Sequence, residues 1–225
     1  MNRDELGYFT VRTDRARPGC RYYFRKEGVN YPDPASRSQP EGVHGPSQVI
    51  EFSSMVWTDA GFDPPLPEDL VIYELHVGTF TEEGTFAAAA ARLHELAKLG
   101  ITAVELMPIA EFAGGRNWGY DGVAPYAADS SYGGPLPFAA FVNAAHEAGL
   151  AVILDVVFNH FGPEGNYSGQ FGDFQTDKYH SPWGDAMNFD GPGSDAVRAF
   201  FLGCVYHWMD NGHVDGFRLD AVLYV

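Results

Sequence analysis

The sequence predicts an α/β fold, the first half of a (β/α)8 TIM barrel preceded by a truncated β-sandwich domain, with residues 1–62 in the first unit and 63–225 in the second. Three observations carry that expectation. After residue 67, short apolar runs alternate strictly with stretches of helical periodicity, which implies right-handed crossovers and a parallel sheet. The runs are mostly apolar on both faces, as buried parallel strands require. Before residue 63 the chain is rich in aromatic residues, Pro and Gly, and alternation is confined to short stretches.

In residues 1–62, Tyr8-Phe9-Thr10-Val11 and Arg21-Tyr22-Tyr23-Phe24-Arg25 read as strands. The stretch from Tyr31-Pro32-Asp33-Pro34 to Pro46 holds too much Pro for a central strand or a helix and reads as a long surface loop. Two or three strands with a hanging loop bury little surface, so this segment either leans on the next domain or, the favoured reading, lacks partner strands upstream. Asp63-Pro64-Pro65-Leu66-Pro67 reads as a linker. Four strands follow, at Val71–Val77, Ala103–Met107, Ala151–Val157 and Val214–Leu219.

Between them, Thr85 is placed to cap a helix with Phe86, Ala90, Leu93 and Leu96 on one stripe, and Gly100 suits the left-handed turn at its end. Pro137 fits the first turn of a second helix, which buries Phe138, Phe141, Val142 and Ala145 and stops at Gly149. A third begins near Ser194, turns Val197, Phe200, Phe201, Cys204, Val205 and Trp208 inward, and ends at Asn211-Gly212. His76-Val77-Gly78-Thr79-Phe80 lacks the glycine spacing a pyrophosphate needs, which favours a barrel over a nucleotide-binding doubly wound sheet. A closed barrel takes eight strands and roughly 250 residues, so four strands make half of one, and the parent protein is expected to continue past Val225.

The chain carries 14 Lys and Arg against 30 Asp and Glu, a formal net charge of −16. A phosphate-backbone binder needs clustered cations, so nucleic acid is not an expected partner. Net charge leaves an uncharged ligand largely indifferent, and a neutral sugar fits this constraint. Cys20 and Cys204 lie far apart in different kinds of segment, which suggests neither a disulfide framework nor a thiolate metal site. Arg3-Asp4-Glu5 is unlike a secretory signal, and no apolar run is long enough to span a bilayer. The expectation is a cytoplasmic chain with no membrane partner, no cofactor and no metal.

Barrel enzymes place their reacting groups at the C-terminal ends of strands. Asn117-Trp118-Gly119-Tyr120-Asp121-Gly122 follows the second strand, Asp155-Val156-Val157-Phe158-Asn159-His160 ends the third, and Gly216-Phe217-Arg218-Leu219-Asp220-Ala221 ends the fourth. Arg218 and Asp220, two apart on a strand, point to one face. A guanidinium favours the ionised carboxylate, the form that attacks an anomeric carbon; the competing reading is a structural ion pair. His160 can donate to a sugar hydroxyl, or simply be satisfied in the core. Asp155 and Asn159 are candidates to orient His160 or Arg218. Trp118 and Tyr120 offer two aromatic faces on a glycine-flanked loop, apt for stacking on a pyranose, with core packing as the alternative. Asp155, Asn159 and His160 lack the close His pair or Cys set that would name a metal.

Together these segments resemble the α-amylase family of glycoside hydrolases, in which Asp-x-x-x-Asn-His and Gly-Phe-Arg-x-Asp are two of four signature regions. The resemblance implies Asp220 as nucleophile, Arg218 as the residue that orients it, His160 as a contact to the sugar being cleaved, and Tyr120 as the ring beneath that sugar. Asp155 becomes a supporting carboxylate, with Asn159 beside it, and Trp118 and Asp121 join the substrate-binding set. Ser131-Tyr132-Gly133-Gly134-Pro135, Phe161 to Tyr167, Pro182-Trp183-Gly184, Asn188 to Pro192 and the Pro32 to Pro46 loop resemble the trehalohydrolase branch of that family, so the likeness runs from about Gly7 to Ala221. It implies a retaining hydrolase that cuts the α-1,4 bond next to the terminal trehalose of maltooligosyl trehalose.

Where the family has a His two residues after the Ala matching Ala221, this chain has Leu223, which is counted with the substrate-binding positions. The family's general-acid Glu and its His-Asp pair lie on later strands, so the 225 residues alone are expected to be inactive. The alternatives are a glucan-branching transferase with the same nucleophile and a non-catalytic fragment that binds α-glucan. An open half-barrel also exposes strand edges, from which self-association is expected.

Overall fold

The computed structural model describes residues 1–5 and 7–225. Its frame is one four-stranded parallel sheet: β1 (Ile72–Leu75), β2 (Ala103–Leu106), β3 (Ala151–Val156) and β4 (Gly216–Leu219), ordered β4-β3-β2-β1. A doubly wound sheet reverses its order at a switch point, and this one does not. Sequential order with right-handed crossovers lays every helix on the same face, as in the wall of an α/β barrel. Besides a single helical turn at Val77–Phe80, the helices are α1 (Phe86–Ala90), α2 (Leu93–Lys98), α3 (Pro135–Glu147) and α4 (Ser194–Gly212).

Local chemistry sets their ends. Thr85 Oγ1 accepts from Ala88 N at 3.3 Å and caps α1. The single helix expected there is split, because the chain tightens at Arg92, whose N–H bonds Ala89 O at 3.0 Å; Leu93 and Leu96 of α2 still reach the core. Helix α3 starts at Pro135, two residues before the expected proline, and Gly149 follows it at φ +76°. Helix α4 continues through Gly212, and His213 takes the left-handed position instead, φ +53°. A non-glycine residue tolerates that conformation only where neighbours hold it, and Trp57 stacks on the His213 ring at 3.6 Å while Asp59 bonds its Nδ1 at 2.6 Å.

The core lies between sheet and helices. Phe86, Phe138, Phe141 and Trp208 are buried against Val104, Val152 and Leu154. Trp208 Nε1 donates to Pro125 O at 2.9 Å, so its one polar atom is satisfied inside. Truncating one of these rings to Ala costs about 3–5 kcal/mol. Cys204 is buried in this core and Cys20 is exposed, both as free thiols. No helix among the described residues is long and apolar enough to cross a membrane.

Residues 1–62 form separate two-stranded ribbons: Asn2–Arg3 with Phe9–Thr10, Arg21–Tyr22 with Ser47–Gln48, and Phe24–Lys26 with Val29–Tyr31. Among the described residues they do not assemble into two stacked sheets. The later part of this segment packs on the α/β unit: Val43 joins the core, Phe52 meets His207 and Phe62 stacks on His146 at 4.2 Å.

His146 of α3 anchors that contact at the floor of the sheet. Its Nδ1 meets Asp59 Oδ2 at 3.0 Å and its Nε2 meets Asp215 Oδ2 at 2.9 Å. Asp215 Oδ2 also accepts from Val152 N at 2.7 Å, at the start of β3. Burial pulls the His146 pKa down, but the hydrogen bonds and charges of Asp215 and Asp59 outweigh it and leave the pKa above the ordinary value.

Two hairpins interrupt the β/α alternation. Ala110–Phe112 pairs with Gly122–Ala128 after β2, and Gln175–Ser181 pairs with Gly184–Met187 after β3. Sequence periodicity misses both because neither alternates: Val123 to Ala128 is buried throughout, whereas Gln175 to Ser181 is almost wholly exposed or half-exposed.

Candidate active site

The site grows from strand register. Asp155 on β3 and Arg218 on β4 are direct partners across the parallel ladder, so their side chains meet on the inner face. Arg218 Nη1 donates to both Asp155 oxygens at 3.1 Å and to Asp220 Oδ1 at 2.6 Å. The backbone N–H of Asp220 bonds Val156 O at 3.0 Å, which fixes its Cα one rung beyond β4. Asp220 Oδ2 has no partner among the described residues. The pair read from sequence is thus a carboxylate–guanidinium–carboxylate bridge with one oxygen free.

Asp155 has a fully buried side chain. Burial pushes its pKa up to about 6, against the opposing effect of hydrogen bonds from Tyr120 and Arg218, so it is ionised at neutral pH. Tyr120 OH donates to Asp155 Oδ2 at 2.9 Å. Burial, together with that bond, pushes the phenol pKa up, so it stays a donor. Arg218 is raised chiefly by its hydrogen bond to Asp220.

His160 is buried and oriented by Asn159, whose Nδ2 lies 3.0 Å from His160 Nδ1. With Nδ1 as acceptor, Nε2 carries the hydrogen, and it is directed to the Tyr120 backbone. Burial lowers its pKa, so the ring is neutral at pH 7. Asn159 therefore serves His160 and Asp155 serves Arg218, a division the sequence leaves open. Trp183, in the turn of the second hairpin, stacks on His160 at 4.5 Å and 6°.

Tyr120 is held by the shape of its loop. Asn117 Oδ1 accepts from Gly119 N at 2.7 Å and Asn117 Nδ2 donates to Asp121 Oδ2 at 2.7 Å, closing a tight turn. Gly119 adopts φ +99°, and a Cβ there would collide with the Pro108 carbonyl; at Gly162 a Cβ would strike the Asp121 carbonyl. Trp118 points away from Tyr120's partners, 62% exposed and edge-on to His76 at 5.0 Å.

The structure thus brings Asp155, Arg218, Asp220 and Tyr120 into one bonded cluster and joins His160 and Asn159 to it through the Tyr120 backbone. Leu223 stands outside, 93% exposed. Sequence reasoning missed Trp183 and His76 as site residues. Signals for both exist: Trp183 lies in a Pro-Trp-Gly turn, where burial is hard to arrange, and His76 directly follows β1, where barrel sites collect. Among the described residues no group of three or more His, Cys, Asp or Glu could hold a metal ion.

The family description "Alpha amylase, catalytic domain" matches residues 31–184. The chain is 55% identical to the malto-oligosyltrehalose trehalohydrolase of Saccharolobus solfataricus over 223 residues, covering 99% of this chain and 40% of that protein. It is 49% identical to the enzyme of that name from Rhizobium sp. (strain M-11), over 89% of this chain and 34% of that protein. Among solved structures, a putative alpha amylase from Salmonella typhimurium superposes with TM-score 0.84 at 47% identity, over 88% of this chain and 34% of its own. The sequential parallel sheet, the bridge at its carboxyl edge and a family match covering more than half the residues lead to one conclusion: the chain belongs to the α-amylase family.

Proposed function

We propose that this chain is the nucleophile-bearing part of a retaining glycosidase that cleaves the α-1,4 bond next to the terminal trehalose of maltooligosyl trehalose. The observation that carries the reading is the Arg218 bridge, which leaves one oxygen of Asp220 free. In the proposed reaction that oxygen attacks the anomeric carbon while the C–O bond to the trehalose unit breaks. A glycosyl ester forms on Asp220, and water later cleaves it with retention. Arg218 keeps the carboxylate ionised and aimed, and Asp155 holds Arg218 and the Tyr120 hydroxyl in place. Tyr120 stacks beneath the sugar, neutral His160 borders it, and Trp118 and Asp121 complete the binding surface.

Retention needs a second carboxyl roughly 5 Å from the nucleophile to protonate the leaving oxygen. Asp155 is committed to Arg218 and Tyr120, so the 225-residue chain alone is inactive in this reading, and the acid comes from elsewhere in a complete barrel. Residues 1–62 are read as the end of an N-terminal β-sandwich whose other strands pair outside this chain, and residues 63–225 as the first half of the barrel.

The test is product analysis, with the chain embedded in a complete barrel and maltopentaosyl trehalose as substrate. Free trehalose is the expected product. New α-1,6 branches on amylose without trehalose release would assign the chain to a branching transferase instead.

A further inference from the structure

One ring on the second hairpin touches both arms of the site. Trp183 sits in the hairpin turn, where Ser181 Oγ accepts from Trp183 N and donates to Gly184 O, both at 3.2 Å. Those two bonds stiffen the turn and set the direction of the indole. It lies 4.5 Å from the His160 ring and 6° from parallel. On another side it meets Tyr224 at 5.7 Å and 89°. Trp183 is 48% exposed while His160 beneath it is 5% exposed, so the indole serves as a cover rather than as core.

Tyr224 ends the short helical turn Val222–Tyr224, which follows the nucleophile. Ala221, next to Asp220, leads into that turn in the left-handed region at φ +43°. A residue with a Cβ keeps such a conformation only where its surroundings impose it, and strain of this kind collects at reacting groups. Two backbone bonds bracket the position: Tyr224 N to Ala221 O at 2.9 Å, and Asp220 N to Val156 O at 3.0 Å. Burial adds little, because Val222, Leu223 and Val225 are all exposed. Among the described residues the Tyr224 ring has one aromatic neighbour, Trp183, and that contact fastens the far end of the strained turn.

We infer that Trp183 is a positioning residue for both arms: it keeps the His160 ring flat and dry, and through Tyr224 it holds the strained turn that aims Asp220. Neither role requires the indole to touch a sugar. The hairpin thus links two strand ends, since His160 follows β3 and Asp220 follows β4. The kinetic part of the inference rests on the glycosidase reading above.

Two measurements test it, one of them without substrate. In the 225-residue chain, NMR titration of the His160 ring reports on its cover. Burial holds that pKa down against the Tyr120 backbone, Asp220 and Asp121, which raise it. Trp183→Ala admits water to one face and should move the pKa up toward about 6.5, and Trp183→Phe should bring it back down. In a complete enzyme, Trp183→Ala should lower kcat by about 10- to 100-fold with KM little changed. Ala221→Gly removes the Cβ from the strained position, so adding it to Trp183→Ala should recover part of the kcat loss and leave the His160 pKa raised. An unmoved pKa in Trp183→Ala overturns the His160 role. A KM effect with kcat intact, or no recovery from Ala221→Gly, overturns the Asp220 role. An unmutated complete enzyme that releases no trehalose overturns the glycosidase reading instead and leaves the titration standing. Because Trp183 is half exposed, a melting temperature unchanged to within about 2 °C separates lost positioning from lost fold.

Discussion

A basic side chain lies between two carboxylates at each end of the β3–β4 pair. At the carboxyl end of β3 and β4, Arg218 lies between Asp155 and Asp220; at the amino end, His146 lies between Asp59 and Asp215. The chemistry differs because burial differs. Arg218 keeps 43% of its side chain exposed and holds Asp220 by one oxygen. His146 is 3% exposed, capped by Phe62, and clamps a segment from before β1 onto the floor. The upper bridge keeps a charge available for reaction, while the lower one commits both ring nitrogens of His146 to structure.

Breaking each bridge should therefore show in a different measurement. In a complete enzyme, Asp220→Ala is expected to lower kcat by at least about 10³-fold. In the isolated chain the same change should move Tm by no more than about 2 °C, since Arg218 keeps Asp155. His146→Ala removes the buried ring that joins Asp59 to Asp215, leaving Asp59 only His213 and Asp215 only the Val152 N–H; the expected cost is about 3–5 kcal/mol, read from the urea midpoint.

A pH series sharpens the contrast. His146 has a raised pKa in the folded chain, so its stabilisation is complete below its unfolded value of about 6.5 and is lost as pH rises through the folded value. Buried His207 runs the other way: burial lowers its pKa to about 4, so its contribution is present above about 6.5 and fades as pH falls toward 4. Thermal melts from about pH 4 to about pH 9 should trace a dome. His146→Gln should remove the alkaline fall and keep the acid one. The smallest effect belongs to Leu223, where Ala should change stability by less than about 0.5 kcal/mol and leave maltose affinity unchanged.

How much of this the sequence discloses follows from the range of the interactions. Asp220 and Arg218 are legible because two-residue spacing fixes a shared face, and Asp155 falls opposite Arg218 once four sequential strands are paired. The helical segments are legible from the Thr85 cap and from stripes such as Phe138, Phe141 and Val142, but the break at Arg92 that separates α1 from α2 is not. The floor bridge is not, since Asp59 and Asp215 stand 87 and 69 residues from His146 and no local pattern links them. The ribbons of residues 1–62 are too short to declare their partners, and Trp183 meets His160 only because an exposed hairpin folds back over it.

Gly119 and Gly162 have a consequence for how such a site diversifies. Each presses its Cα against a neighbouring carbonyl, so the segments bearing Tyr120 and His160 accept no added side chain at those points and leave little room for drift. Change has to enter where solvent is the neighbour, at Arg116, at Trp118 and around the turn that carries Trp183. Random libraries confined to those three places should yield altered ligand preference at far higher frequency than libraries spread over the bonded cluster.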